Sequence, residues 1–221
     1  MLRIGHRGAR ALEPENTLRS FGRAVELGVD AVELDVRKTK DGKIVVVHDD
    51  KMDRTTDGSG LVSELSLEEI KGFTADKGEK IPTLGEALDF LKCKVKVLIE
   101  LKEAGYEEKV LDLVRERGMV DDVIVISFHE EALRRVEELD ERVATGLIYV
   151  RHKKPREAAL GLRAKYLLPL YRFTHSADVK KAHEAGLKMI VWTINTPQEA
   201  TAYKQKNVDG ITTDNPNIFK Q

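Results

Sequence analysis

Eight apolar runs of four to seven residues, at 2–6, 31–36, 95–101, 123–128, 144–150, 166–170, 189–194 and 210–213, are separated by amphipathic stretches. Runs this short and this rich in β-branched side chains read as strands covered on both faces. The stretches at 18–27, 107–117, 130–139 and 176–185 carry apolar residues at helical spacing. Boundary signals agree. Thr83 with Glu86 and Thr196 with Glu199 fit capping boxes, Pro197 suits a first helical position, and Gly118 and Gly186 suit C-terminal caps. Strict alternation of strand and helix leaves few architectures open, and 221 residues is the length of one closed barrel. The expected fold is therefore α/β, a (β/α)8 TIM barrel forming one domain over 1–221. An open doubly wound sheet is the weaker alternative, because Gly5-His6-Arg7-Gly8 lacks the third glycine of a dinucleotide loop.

One segment breaks the alternation. After Val36 too few residues remain for a helical crossover, and Asp41-Gly42 is a strong hairpin signal. The chain is expected to fold back antiparallel over 44–48. With Asp41 and Gly42 as a two-residue turn, Lys40 pairs with Lys43 and Asp35 falls opposite His48. Side chains alternate along a strand, so Glu33 and Asp35 share that face while Val32, Leu34 and Val36 point toward helices. In the next run Leu98, Glu100 and Lys102 share one face, and Val97, Ile99 and Leu101 the other. A carboxylate inside such a run is costly to bury unless it is paired or metal-bound. Three inward carboxylates, Glu33, Asp35 and Glu100, would repel one another without a cation. Oxygen-only ligands point to Mg2+ or Ca2+ rather than Zn2+, with Mg2+ favoured.

Acids and bases nearly cancel, at a net charge of −1, and no long block of one sign appears, which argues against a nucleic-acid partner. The single Cys93 excludes an internal disulfide and is expected to be a buried, inert thiol. Met1 to Ile4 runs straight into His6-Arg7-Gly8, leaving no room for a signal peptide. No apolar run approaches the roughly 18 to 20 residues of a membrane span, so a cytoplasmic protein without stable membrane insertion is expected. His152 and His183 read as solvated surface histidines. His129 and His175 also follow strands and are minor candidates for lining the barrel mouth, and Asn16 reads as a helix cap. The role of Asp214, after the last strand, is left open.

Taken together, His6-Arg7-Gly8, Pro14-Glu15-Asn16-Thr17, Glu33-Leu34-Asp35-Val36, His48-Asp49, Arg54-Thr55-Thr56 with Gly58 and Gly60, Ile81-Pro82-Thr83-Leu84, Glu100-Leu101-Lys102 and Val191-Trp192-Thr193 resemble the glycerophosphodiester phosphodiesterase family. That family stands with the barrel phosphodiesterases that include phosphatidylinositol-specific phospholipases C. The resemblance spans almost the whole chain. It implies acid–base roles for His6 and His48, ligation of one divalent cation by Glu33, Asp35 and Glu100, and phosphate contacts from Arg7 and Lys102. It also suggests Trp192 as an apolar wall against the glycerol carbons, with Phe128 as a lesser candidate, and implies that the stretch at about 49–82 is a small insertion over the barrel mouth that covers the substrate.

The implied reaction is hydrolysis of a small glycerophosphodiester to sn-glycerol 3-phosphate and an alcohol. One histidine takes a proton from the nucleophile and the other protonates the departing alcohol. The nucleophile is either water or the adjacent glycerol hydroxyl, and the leaving group is left open. With 5% aromatic residues no choline cage is visible. Two other functions compete: a phospholipase D-like or cyclising lyase acting on lysophospholipids, for which the 49–81 stretch is too polar to offer a membrane-facing loop, and a non-catalytic glycerophosphate-binding module.

Overall fold

The computed structural model describes residues 1–220. Its strands and helices alternate as β1 (Leu2–Gly5), α1 (Leu18–Glu26), β2 (Ala31–Lys38), β3 (Ile44–Val46), α2 (Leu67–Gly72), α3 (Leu84–Leu91), β4 (Lys96–Leu101), α4 (Glu107–Glu116), β5 (Val123–Ser127), α5 (Glu130–Leu139), β6 (Ala144–Tyr149), α6 (Pro155–Gly161), β7 (Tyr166–Pro169), α7 (Ser176–Glu184), β8 (Lys188–Val191), α8 (Pro197–Gln205) and β9 (Gly210–Thr213). Eight strands pair in parallel. Because β1 bonds both β2 and β9, the sheet closes, and β3 hangs antiparallel from β2 as a ninth strand. The architecture is the (β/α)8 barrel, with the last helix reduced to a 3-10 turn at Pro216–Phe219. Among the described residues no helix is long and apolar enough to cross a membrane.

Strand alternation sorts the side chains as expected. Val32, Leu34, Val36, Val97, Ile99 and Leu101 bury under the helices, while Ile4, Leu98, Ile126, Ile148, Leu168 and Ile190 fill the barrel interior. The helix caps also follow the sequence. Thr83 accepts from the Glu86 N–H while Glu86 accepts from the Thr83 N–H, a complete box at the head of α3. Replacing Thr83 by alanine is expected to cost about 1 kcal/mol, lowering Tm in a thermal melt by roughly 2 to 4 °C. At α8 only half of the expected box forms. Thr196 accepts from the Glu199 N–H, but the Glu199 carboxylate takes the hydroxyls of Thr196 and Tyr171 instead.

The hairpin lies where expected, one residue out of the expected register. Val36 faces Val46, Arg37 faces Val45 and Lys38 faces Ile44. Thr39 closes the ladder against Lys43, so the loop has three residues and ends on Gly42 in the left-handed region, φ 75°. The cause lies outside the hairpin: Asp41 accepts the Leu67 N–H and Lys40 donates to the Leu65 carbonyl, tying the loop to the insertion. Val47, not His48, therefore comes opposite Asp35, its N–H donating to the Asp35 carbonyl. The insertion has its own small core, with Met52, Val62, Ile70, Ala75 and Ile81 packed on Val45 and Val47. Cys93 is exposed rather than buried, because the chain leaves α3 through a left-handed turn at that residue, φ 61°. His183 is half-buried and pairs with Asp209 at 2.8 Å, so it is not a free surface histidine.

Candidate active site

At the C-terminal ends of the barrel strands lies a cavity of about 240 Å³. One wall is polar, made by His6, Arg7, Glu33, His48, Glu100 and Lys102; the opposite wall is apolar, made by Ile126, Phe128, Ile148, Leu168 and Trp192. All the sequence-assigned site residues except Asp35 line it, and Asp35 lies just beneath, fully buried. Phe128 and Trp192 meet edge to face at 5.8 Å, and the indole N–H donates to the Leu168 carbonyl.

The carboxylates converge because β2 and β4 are parallel neighbours with Asp35 beside Glu100, and Glu33 is two residues back on the same face. One oxygen from each of Glu33, Asp35 and Glu100 falls within a common 4.8 Å. Lys102 Nζ lies 2.6 Å from Glu100 and 3.4 Å from Asp35, and Arg7 Nε lies 3.1 Å from Asp35. Even so, Glu33 Oε1 and Asp35 Oδ1 are buried without a hydrogen bond. Burial, then repulsion from Asp35 and Glu100, pushes the Glu33 carboxyl well above its usual range. Burial and the Asp35 charge push Glu100 up to about 7. Burial would also raise Asp35, but Arg7, Lys102 and a hydrogen bond from Asn16 outweigh it and hold this carboxyl low. Buried oxygens left without donors, in a set of hard anionic ligands, fit a hard divalent cation.

Each histidine is braced by a carboxylate on Nδ1. His6 Nδ1 lies 2.6 Å from Asp214 Oδ1, and Asp214 is itself held by Asn195 at 2.8 Å. His48 Nδ1 lies 2.6 Å from Asp49 Oδ1. Arg54 clasps Asp49 and also donates to Glu15 at 2.7 Å, and Glu15 accepts from Arg7 at 2.8 Å. This network ties the insertion to the barrel. His48 reaches the cavity although its register is not the expected one, because the chain leaves the ladder after Val47 and Arg37 holds the His48 carbonyl at 2.9 Å. Burial pulls the His48 imidazole below its usual pKa, against the opposing pull of Asp35 and Asp49.

The tight turn after β1 depends on Gly8. Its φ is 83°, and a Cβ there would lie 2.6 Å from the Ser20 backbone carbon. Arg7 and Asn16 hold left-handed conformations at φ 50° and 59°, uncommon for residues with a side chain. Asn16 is not the helix cap that its position suggests; Thr17 fills that place. Asn16 is buried and donates to Asp35 Oδ2 at 2.9 Å. Asp49, Arg54, Glu15, Asn16 and Asp214 are the members of the site that local sequence reading did not assign. Glu15, Asn16, Asp49 and Arg54 lie in the motifs that carry the family resemblance, which gave them no role; Asp214 had a geometric signal, since barrel closure sets the residue after the last strand beside the residue after the first. His129 and His175 do not line the cavity.

The family model described as the glycerophosphoryl diester phosphodiesterase family matches residues 6–218. A glycerophosphodiester phosphodiesterase of Caldanaerobacter subterraneus subsp. tengcongensis is 38% identical, over 96% of this chain and 93% of its own length. A crystal structure of a glycerophosphodiester phosphodiesterase from Agrobacterium tumefaciens superposes with a TM-score of 0.91 at 30% identity, covering 99% of this chain and 98% of that one. An Oleispira antarctica phosphodiesterase solved in complex with the product sn-glycerol-3-phosphate superposes with a TM-score of 0.91 at 29% identity, covering 100% of this chain and 97% of that one.

Proposed function

The chain belongs to the glycerophosphodiester phosphodiesterase family, and from that premise we propose that its cavity hydrolyses small glycerophosphodiesters to sn-glycerol 3-phosphate and an alcohol, with one divalent cation and two histidines. The whole chain acts as one catalytic unit. The observation that carries this reading is the cluster of three buried carboxylates, two of their oxygens without a donor, at the floor of a cavity walled by two carboxylate-braced imidazoles.

Glu33, Asp35 and Glu100 would hold the cation, Mg2+ by preference or Ca2+. Bound there, it would offset the mutual repulsion of its ligands and would supply positive charge to the phosphate. Arg7 and Lys102 stand beside the same carboxylates and present fixed positive charge to the non-bridging oxygens, which gain charge as the ester is displaced. The guanidinium suits paired oxygens. With Nδ1 of each imidazole engaged by a carboxylate, Nε2 is the atom left to exchange protons. One ring takes the proton of the nucleophile, and the other, protonated, gives one to the leaving alcohol. His48, kept neutral by burial at neutral pH, suits the accepting role. The apolar wall of Trp192 and Phe128 packs against the carbon skeleton and offers the leaving group no charge.

The test is a panel of soluble diesters, glycerophosphocholine and glycerophosphoethanolamine first, with products followed by phosphorus NMR. Glycerol 3-phosphate should appear with the free alcohol; no turnover of any member would refute the reading. The brace on His6 can be tested separately. Asp214→Asn puts a donor against Nδ1 and favours the wrong tautomer, so kcat should fall roughly 10- to 100-fold with KM nearly unchanged. Initial rates that match the parent would show that His6 needs no brace.

A further inference from the structure

On the rim of the same barrel mouth, the loops after β5, β6 and β7 lie side by side because their strands are neighbours in the sheet. Side-chain contacts join them into one surface. Arg151 stacks over the Phe173 ring at 4.7 Å, His152 reaches Glu130 at 3.3 Å, and Phe128 abuts Trp192 in the cavity wall. Two features set this rim apart. First, three of the five large apolar side chains left exposed in the described residues are here: Phe128 at 44%, Val150 at 40% and Phe173 at 46%. Second, the cations here lack carboxylate partners. Of sixteen arginines, all but Arg134, Arg151, Arg156 and Arg172 have a carboxylate oxygen within 4.0 Å among the described residues. Three of those four stand on this rim, with Lys153, Lys154 and Lys181 beside them.

The nearby acids are fewer than the cations. Glu130 and Glu131 open α5, Glu157 lies in the first turn of α6 and Asp178 in that of α7, and Glu199 is linked to Arg172 through the Tyr171 hydroxyl, against Arg151, Arg156, Arg172, Lys153, Lys154 and Lys181. The chain as a whole is balanced, so a local surplus of cations around exposed apolar groups is a property of the folded surface and not of the composition. A soluble polyanion would use the cations and leave the apolar side chains unexplained. A layer of anionic lipid uses both, since aromatic and aliphatic groups enter the headgroup boundary while Arg and Lys meet the phosphates.

We propose that the rim formed by Phe128, Val150, Arg151, Arg156 and Phe173 docks on an anionic lipid surface, turning the mouth of the cavity toward the layer. The interaction is peripheral and does not depend on the assigned reaction. It gives the site access to single-chain glycerophosphodiesters held in that layer as well as to soluble ones.

The test is co-sedimentation of the full chain with phosphatidylcholine vesicles and with vesicles that also contain phosphatidylglycerol, at low and physiological salt. The chain should pellet with the anionic vesicles alone, and less so as salt rises. The Arg151→Glu, Arg156→Glu double variant should partition at least about tenfold more weakly, each surface cation contributing roughly fivefold. Phe173→Ser should weaken partition as well. Both variants should hydrolyse soluble glycerophosphocholine at the parental rate, which reports an intact fold. Failure of the parent to pellet with anionic vesicles would overturn the proposal. So would a Phe173→Ser chain that binds as tightly as the parent while heparin displaces both, an outcome that identifies a soluble polyanion site. Vesicle binding by a chain that hydrolyses no diester would leave the docking surface standing and remove the assigned reaction.

Discussion

Replacing His6 or His48 by alanine is expected to lower kcat by roughly 10²- to 10⁴-fold, the range over which a positioned general acid or base acts. The two losses should be similar in size but not additive, since both rings serve one displacement. Neither ring belongs to the carboxylate cluster, so both variants should retain cation binding, read as the rise in Tm on adding Mg2+. The pH profile of the parent should be bell-shaped, its limbs reporting one neutral and one protonated imidazole. Parental turnover in either alanine variant, or a flat profile from mildly acid to alkaline pH, would refute the two-histidine assignment.

Removing the divalent cation is expected to abolish turnover and to lower thermal stability in a pH-dependent way. Without a cation, Glu33 and Glu100 have pKa values raised above those of the unfolded chain, Glu100 to about 7. For groups shifted in this direction the stabilising contribution is fully present below the unfolded carboxyl pKa and is lost as pH rises through the folded value. Asp35 is shifted the other way, so its contribution is present at neutral pH and is lost as pH falls through its depressed value. The cation-free chain should therefore lose stability from the Glu100 carboxyl as pH rises from the ordinary carboxyl range to about 7, and the raised Glu33 carboxyl adds a loss of the same sign.

A cation reverses that trend by binding the ionised carboxylates and releasing their protons. At a concentration about 100 times Kd, binding stabilises by about 2.7 kcal/mol. At roughly 2 to 4 °C per kcal/mol for a chain this long, Tm should rise by roughly 5 to 10 °C. The increment should be larger near pH 8 than near pH 6, because proton competition weakens the apparent affinity on the acid side. Melts of chelated protein with Mg2+ or Ca2+ restored, paired with rates on glycerophosphocholine, read all of this. Full activity after exhaustive chelation, or a Tm indifferent to both ions, would remove the cation from the site.

The architecture was legible because its signal is repeated. Eight buried runs and the helices between them each carry their own periodicity, so an error of one to three residues at an end, the largest at β8, does not disturb the whole. Glu33, Asp35 and Glu100 were legible for the opposite reason: a carboxylate in an otherwise β-branched strand stands out, and alternation places it inward. The hairpin was half legible. Asp41-Gly42 marks a turn, but whether the loop holds two or three residues depended on Asp41 being bound by the backbone of the insertion. Asn16 was misread because an Asn just before a helix has a strong local reading as its cap; the turns at Arg7 and Asn16 carry it instead to Asp35. Cys93 failed in a similar way, since apolar neighbours along the chain do not fix which way a left-handed exit turns.

The order of the residues was enough to specify the barrel, the three acidic side chains on its inner face and the two imidazoles near strand ends, because alternation and helical spacing are imposed by neighbours along the chain. Folding added the partnerships: Asp214 against His6 across 208 positions, Arg54 linking Asp49 to Glu15, and His48 turned into the cavity from an unexpected register. Those depend on which strand closes against which, and on how a loop is anchored by segments far away in sequence. Local periodicity carries no record of such long-range contacts.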